Sequence, residues 1–240
     1  MAQSDDLDAI VRRADLDRWL ASRFIGDAEA RADVIALYAF NHELARVAET
    51  VHEPLMGEIR LTWWSEAIGE IFAGGPVRRH PVAEALALAV GRRNLARAPL
   101  EAMVEARFTD FEPEALADDA ALDGYIDATA GAVMALAVAI TAGVEALSVR
   151  PAARAWGLAG LLRLRAVGIE RLPARWTADS VRERVGAAMG EARIAAQALP
   201  VEAFPCVAYV GLAGVYAAGR NPSELEKRLR LTGAVLTGRL

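Results

Sequence analysis

The chain has 240 residues, 54% of them hydrophobic and 6% aromatic, and a formal net charge of −5 at pH 7. That length favours one large domain with ample material for a core, and the Ala- and Leu-rich balance suits packed helices better than sheets. The negative balance, with no basic stripe, excludes a general affinity for nucleic acid; the single cysteine excludes a disulfide framework and points to a reducing compartment.

The opening stretch, MAQSDDLDAIVRRADLDRWL, is acidic and lacks the apolar core of a signal peptide, which predicts a cytoplasmic location. Ser4 or Asp5 is placed to cap a first helix carrying Leu7, Ile10, Val11, Ala14 and Leu16. Asp27 is the expected cap of the next helix, which runs through Tyr38 to Val51. On it Tyr38, Asn41, His42, Ala45, Glu49 and His52 recur at spacings of three and four, so they share one flank. Glu43, Arg46, Glu49 and Glu53 read as a solvated face of ion pairs, with Arg46 in reach of His42 and Glu49. Pro54 ends this helix, and Gly57 and Glu58 open another. Its apolar rows, Ile59-Trp63-Ile71 and Leu61-Trp64-Ile68-Phe72, predict a helix buried on most of its girth.

Residues 72–81 (FAGGPVRRHP) form a loop, since Gly74-Gly75-Pro76 cannot continue a helix. Helices follow from Val82 to about Ala96 and from Pro99 to Phe111. Asp119, Asp123 and Asp127 are four apart, in the form DxxxD, and read as capping or solvated acids at the start of a long helix. Two runs without charge, 128–144 and 204–219, fall short of the roughly 20 apolar residues needed to span a bilayer. Rich in Ala and Gly, they read as core helices, and contact with a membrane surface stays open.

The chain breaks at Arg150-Pro151 and resumes in a stretch where Arg163, Arg165, Arg171 and Arg175 cluster, as a phosphate or acidic-partner site or as a surface ion-pair face. Further helices cover 179–198, 204–218 and 222–237, the last with Asn221 as cap and Pro222 at its first position. Cys206 reads as buried filler. Glu49, His52 and Glu53 have helical spacing for a shared metal but no fourth ligand. No zinc spacing, nucleotide loop or Ser-His-Asp pattern is present, so no catalytic or metal-binding residue is assigned.

The segment YAFNHELARVAETVHEPLMGEIRLTWW, residues 38–64, resembles the squalene/phytoene synthase family of head-to-head prenyl transferases. The resemblance resumes at GYIDATAGAVMALA (124–137), at AWGLAGLLRL (155–164) and at Leu172-Pro173, and together these cover most of residues 10–220. It implies an all-α, single-domain isoprenoid synthase-type bundle over residues 1–240, about nine to eleven helices around a central cleft. Active members bind magnesium and a prenyl diphosphate on two Asp-rich motifs. Here the first motif falls on Ala45 and Glu49, with Arg46 in place of the intervening Asp, and residues 164–170 contain no Asp. Magnesium ions bridging a diphosphate need several carboxylates from opposite walls. The resemblance therefore implies a fold kept and a site lost, with no cofactor; Mg²⁺ enters only if activity survives.

On this reading Tyr38, Asn41, His42, Arg46, Glu49, Glu53, Arg60, Trp63 and Trp64 are candidates for a vestigial cleft or partner-binding surface, and Arg163 and Arg165 for phosphate or an acidic partner. The segment ELAR…E…EP…GEIRLTWW is most similar to the degenerate branch that includes a mitochondrial complex I assembly factor. The implied function is non-catalytic assembly or scaffolding of a respiratory membrane complex, with one of its subunits as protein partner, peripheral to the inner membrane. The alternatives are an active squalene- or phytoene-type prenyl transferase and a protein that binds a prenyl or lipid ligand.

Overall fold

The computed structural model describes residues 2–51, 53–112, 116–144 and 149–240; His52 and its proposed share in a metal site lie outside them. Helix α1 (Ala2–Ala14) already runs at Ser4 and Asp5, and it does not continue to Leu16. Asp15 instead caps a separate α2 (Leu16–Ser22), its carboxylate accepting the Arg18 backbone N–H. Helix α3 (Ala28–Thr50) starts at Asp27 as expected, that side chain accepting from the N–H groups of Glu29 and Ala30. Val34, Leu37, Ala39, Phe40 and Leu44 are almost free of solvent, and α3 packs against α1, α5 (Pro81–Arg93) and α8 (Ala132–Ala142).

Helix α4 (Pro54–Ala73) begins at Pro54 and not at Gly57. A proline that ends one helix also suits the first position of the next, where its missing N–H has no partner to lose. The Leu61-Trp64-Ile68 row is buried against α3 and α6 (Arg97–Phe108), but Ile59 is 52% exposed and Trp63 and Ile71 only half-buried. Burial over most of the girth is therefore met only in part: one row is buried, while Trp63 and Ile71 pack against the core half-buried and Ile59 stands exposed. Helix α7 (Asp119–Ile126), a π-turn (Asp127–Gly131) and α8 make one continuous rod. The rod, with a mean hydropathy of 1.6, is long and apolar enough to cross a membrane, but 61% of its apolar window is buried in this chain's own core.

Helix α9 (Arg150–Ala166) starts at Arg150, with Pro151 inside its first turn, and packs along α10 (Ala178–Ala195) and the π-turn. Gly157 permits that approach, since a Cβ there would lie 2.8 Å from the Ile126 side chain. Residues 204–218 are buried as expected but wind unevenly, through α11 (Pro205–Ala208), a 3-10 turn and α12 (Ala213–Ala217). Helix α13 (Glu224–Thr237) is capped by the Ser223 hydroxyl, not by Asn221, because that oxygen is the one within reach of the Glu226 N–H. Among the described residues there is no strand, and the architecture is the all-α helical bundle that the composition implies.

The acids at 119, 123 and 127 neither cap nor stand free. Asp118 is the cap of α7, while Asp119 pairs with Arg175 and Arg184, Asp123 with Arg154 and Asp127 with Arg150. Arg150 and Arg154, one turn apart on α9, thus fasten that helix to the rod. Cys206 is solvent-free, its thiol pushed up to about 12 by burial, which suits packing and not nucleophilic chemistry.

Candidate functional site

A cavity of about 470 Å³ opens between α3 and α9, with the rod as its floor. The shared flank of α3 lines it as its spacing requires, through Tyr38, Asn41, His42, Ala45 and Glu49. Trp156, Gly157, Gly160, Leu161, Arg163 and Leu164 come from α9, and Tyr125, Ile126, Thr129 and Ala130 from the floor. The helix loosens to π geometry where it meets the cavity, a device common at functional sites, and Thr129 donates its hydroxyl to the Tyr125 carbonyl at 2.7 Å.

The other flank of α3 opens elsewhere. Arg46, Arg60, Trp63 and Trp64 line a separate cavity of about 310 Å³ with Glu43, Val47 and His80. There Phe40, Trp64, Trp63 and His80 meet edge to face, with ring centroids 4.9–5.5 Å apart, and Arg78 lies over Trp63. Arg46 pairs with Glu43 at 3.2 Å: helical side chains lean toward the N-terminus, away from Glu49, and of the two residues there Glu43 is the carboxylate while His42 offers no negative charge. Glu53 lines neither cavity; it is exposed at the start of α4, next in sequence to the exposed Leu55 and Met56.

Of the four clustered arginines only Arg163 reaches the central cavity. Arg165 closes on Glu170 at 2.7 Å and donates to the Trp176 carbonyl, so it is spent on its own loop. Arg171 donates to the carbonyls of Thr109 and Asp110, and Arg175 to that of Ala117. These two tether the loop after α9 to neighbouring turns.

Several residues that spacing along one helix could not reveal complete the cavity. Arg18, buried at 6% exposure, stands within 5.0–5.8 Å of the Tyr38, Trp156 and Tyr209 rings. It donates to the Tyr209 hydroxyl at 3.2 Å and pairs with Asp15 at 2.7 Å. Burial works against its charge, but Tyr209 and Asp15 outweigh burial and its pKa is raised. Arg107 donates to the Tyr125 hydroxyl at 2.9 Å, and that hydroxyl donates to Asp110 at 2.8 Å. Burial pushes the Tyr125 phenol up to about 12 and raises Tyr38 well above its ordinary value, so both remain protonated. A lone Arg in the stretch DLDRW is the signal that was available for this cluster.

The acids lining the cavity are Asp15, held by Arg18 and by the α2 cap, and Glu49, exposed and without an ion pair among the described residues. No group of three or more His, Cys, Asp or Glu side chains gathers there or elsewhere among the described residues.

Comparison with known proteins places this geometry. A family model for squalene/phytoene synthase matches residues 11–169. The chain belongs to that family. Among curated relatives, NADH dehydrogenase (ubiquinone) complex I assembly factor 6 of Homo sapiens is 32% identical over 131 residues, and its counterpart in Bos taurus 30%. Each match covers 55% of this chain and 39% of the relative, so the chain aligns with well under half of their length. Among solved structures, a dehydrosqualene synthase in complex with ligand superposes with a TM-score of 0.79 at 15% identity, over 98% of this chain and 96% of that one. Squalene synthase HpnC from Alicyclobacillus acidocaldarius gives 0.69 at 16%, over 99% and 94%. The family fold accordingly extends through the C-terminal helices, beyond the stretch matched in sequence.

Proposed function

We propose that this squalene/phytoene synthase family protein is a non-catalytic assembly factor for a respiratory membrane complex, acting on one of its subunits at the membrane surface. The observation that carries the reading is the 32% identity to human complex I assembly factor 6 across 131 residues. The donor set of the cavity agrees with it. Magnesium requires near-octahedral oxygen ligands, and diphosphate ionisation depends on the metal as a Lewis acid. The residues present do not fit that group: among the described residues Glu49 is the one uncommitted acid lining the cavity, and α9 presents Arg163 on the facing wall. No prenyl-transfer step is derived through such a cavity.

Deleting the gene in its native cell and resolving membranes by native electrophoresis, with an NADH-oxidation stain, tests the assembly role. Fully assembled complex I is expected to fall, and to return with the wild-type chain or with Glu49→Gln. An unchanged complex contradicts the reading.

A further inference from the structure

Helix α13 lies open to solvent along most of its length: of its 14 residues only Leu231 is buried. Leu225, Leu229 and Leu236 are 67%, 66% and 81% exposed. Spaced four and seven apart, they fall within about 40° of one another around the helix axis, with Thr232 beside them. Arg228 and Thr232 in turn border a cleft of about 270 Å³ shared with Trp19, Arg23 and Phe24, from α2 and the turn after it. Phe24 is itself exposed, so the leucine stripe adjoins further apolar surface.

This face is cationic in a chain that is acidic. Residues 220–240 hold five Lys and Arg against two Glu, which leaves 22 against 30 for the remainder. Lys227 is committed to Asp17, and Arg228 closes on Glu224. Glu226 alone answers both Arg220 and Arg230, and Arg239 has no ion pair among the described residues. A second copy of the chain suits the face badly: cationic rims would oppose each other, and three leucines fall well short of the roughly 800 Å² per partner that a stable dimer buries. A bilayer with anionic lipid suits both features, taking the leucines at its acyl boundary and the arginines among its headgroups. We infer that α13 and the adjoining end of α2 dock on such a bilayer, with the helix axis in the plane of the surface. This deepens the assembly reading and rests on it only for the presence of a membrane; vesicle binding is measured apart from complex I assembly, so either can fail alone.

Flotation of the full chain with vesicles tests the face, using phosphatidylcholine alone and phosphatidylcholine mixed with phosphatidylglycerol. Binding is expected to the mixed vesicles, to fall as salt rises, and to be far weaker with phosphatidylcholine alone. The double variant Leu225→Ser with Leu229→Ser should weaken it at least about tenfold, and Arg239→Gln about fivefold. Both should leave Tm unchanged, since these side chains are exposed. Leu88→Ser, at a comparably exposed position on α5, should bind like the wild type. Equal binding to the two kinds of vesicle, no binding to either, or indifference to the leucine variant would overturn the proposal. A dimer in light scattering that the leucine variant dissolves would overturn it too, by placing a second copy on this face.

Discussion

Arginines cluster in two regions of this protein and are wired in opposite ways. Between α3 and α5, Arg92 and Arg93 close on Asp33, which has no solvent exposure. In a chamber beside α9, Arg13 and Arg163 face a cavity whose acids already belong to other partners. The first arrangement neutralises a buried carboxylate and holds two helices together; the second leaves two exposed guanidiniums with no carboxylate partner among the described residues. Between them stand Arg18 and Arg107, whose neighbours are mainly phenols. A guanidinium's surroundings, and not its presence, decide whether it serves the fold or a ligand.

Breaking the first region should cost most. Asp33→Ala removes the buried carboxylate that both arginines share, while Arg92 and Arg93 keep Glu29, and is expected to destabilise by about 2–3 kcal/mol in urea unfolding, the worth of the lost charged hydrogen bonds. Arg163→Gln should stay within about 0.5 kcal/mol. Equal losses from the two would erase the contrast.

The intermediate group answers to alkali. All four tyrosines, Tyr38, Tyr125, Tyr209 and Tyr216, have pKa values raised chiefly by burial, Tyr125 to about 12. A phenol ionises near 10 in the unfolded chain, so its contribution is complete below pH 10 and is lost as pH rises toward the folded value. For Tyr125 that is about 3 kcal/mol between pH 10 and 12. Absorbance at 295 nm should show no native tyrosinate with a midpoint near 10, only a later rise that tracks unfolding. A phenol titrating at 10 in the folded protein would show that these rings are more open than the geometry implies.

Tyr216→Phe removes one donor from the buried Asp17 while Lys227 remains, and is expected to cost about 1–2 kcal/mol in thermal unfolding. A neutral result would mean that Lys227 alone satisfies the carboxylate. The smallest effect belongs to Glu170. Its pKa is lowered mainly by the Arg165 hydrogen bond, so its contribution holds above about 4.5 and fades as pH falls through the folded value. As the side chain is largely exposed, Glu170→Gln should change stability at pH 7 by under about 0.5 kcal/mol, while flattening the loss on acidification.

What could be read before the structure was local. The flank of α3 from Tyr38 to Glu49 follows from 3.6-residue spacing, and all five of its described members line the cavity. The resemblance in residues 38–64 and 155–164 carried the bundle and its cleft. What stayed hidden depends on packing across distance. Arg18 meets Tyr209, and Arg107 meets Tyr125, only once their helices have docked. Asp123 and Asp127 looked solvated because nothing in their own helix announces Arg154 and Arg150 across the gap. Pro54 and Pro151 were ambiguous for another reason: a proline breaks the preceding helix and suits the first turn of the next.

The most direct test of the charge-inverted cavity is pyrophosphate release from farnesyl diphosphate by the purified chain, with and without Mg²⁺. The account predicts release indistinguishable from the enzyme-free control under both conditions. Mg²⁺-dependent release that disappears in Glu49→Gln would contradict it.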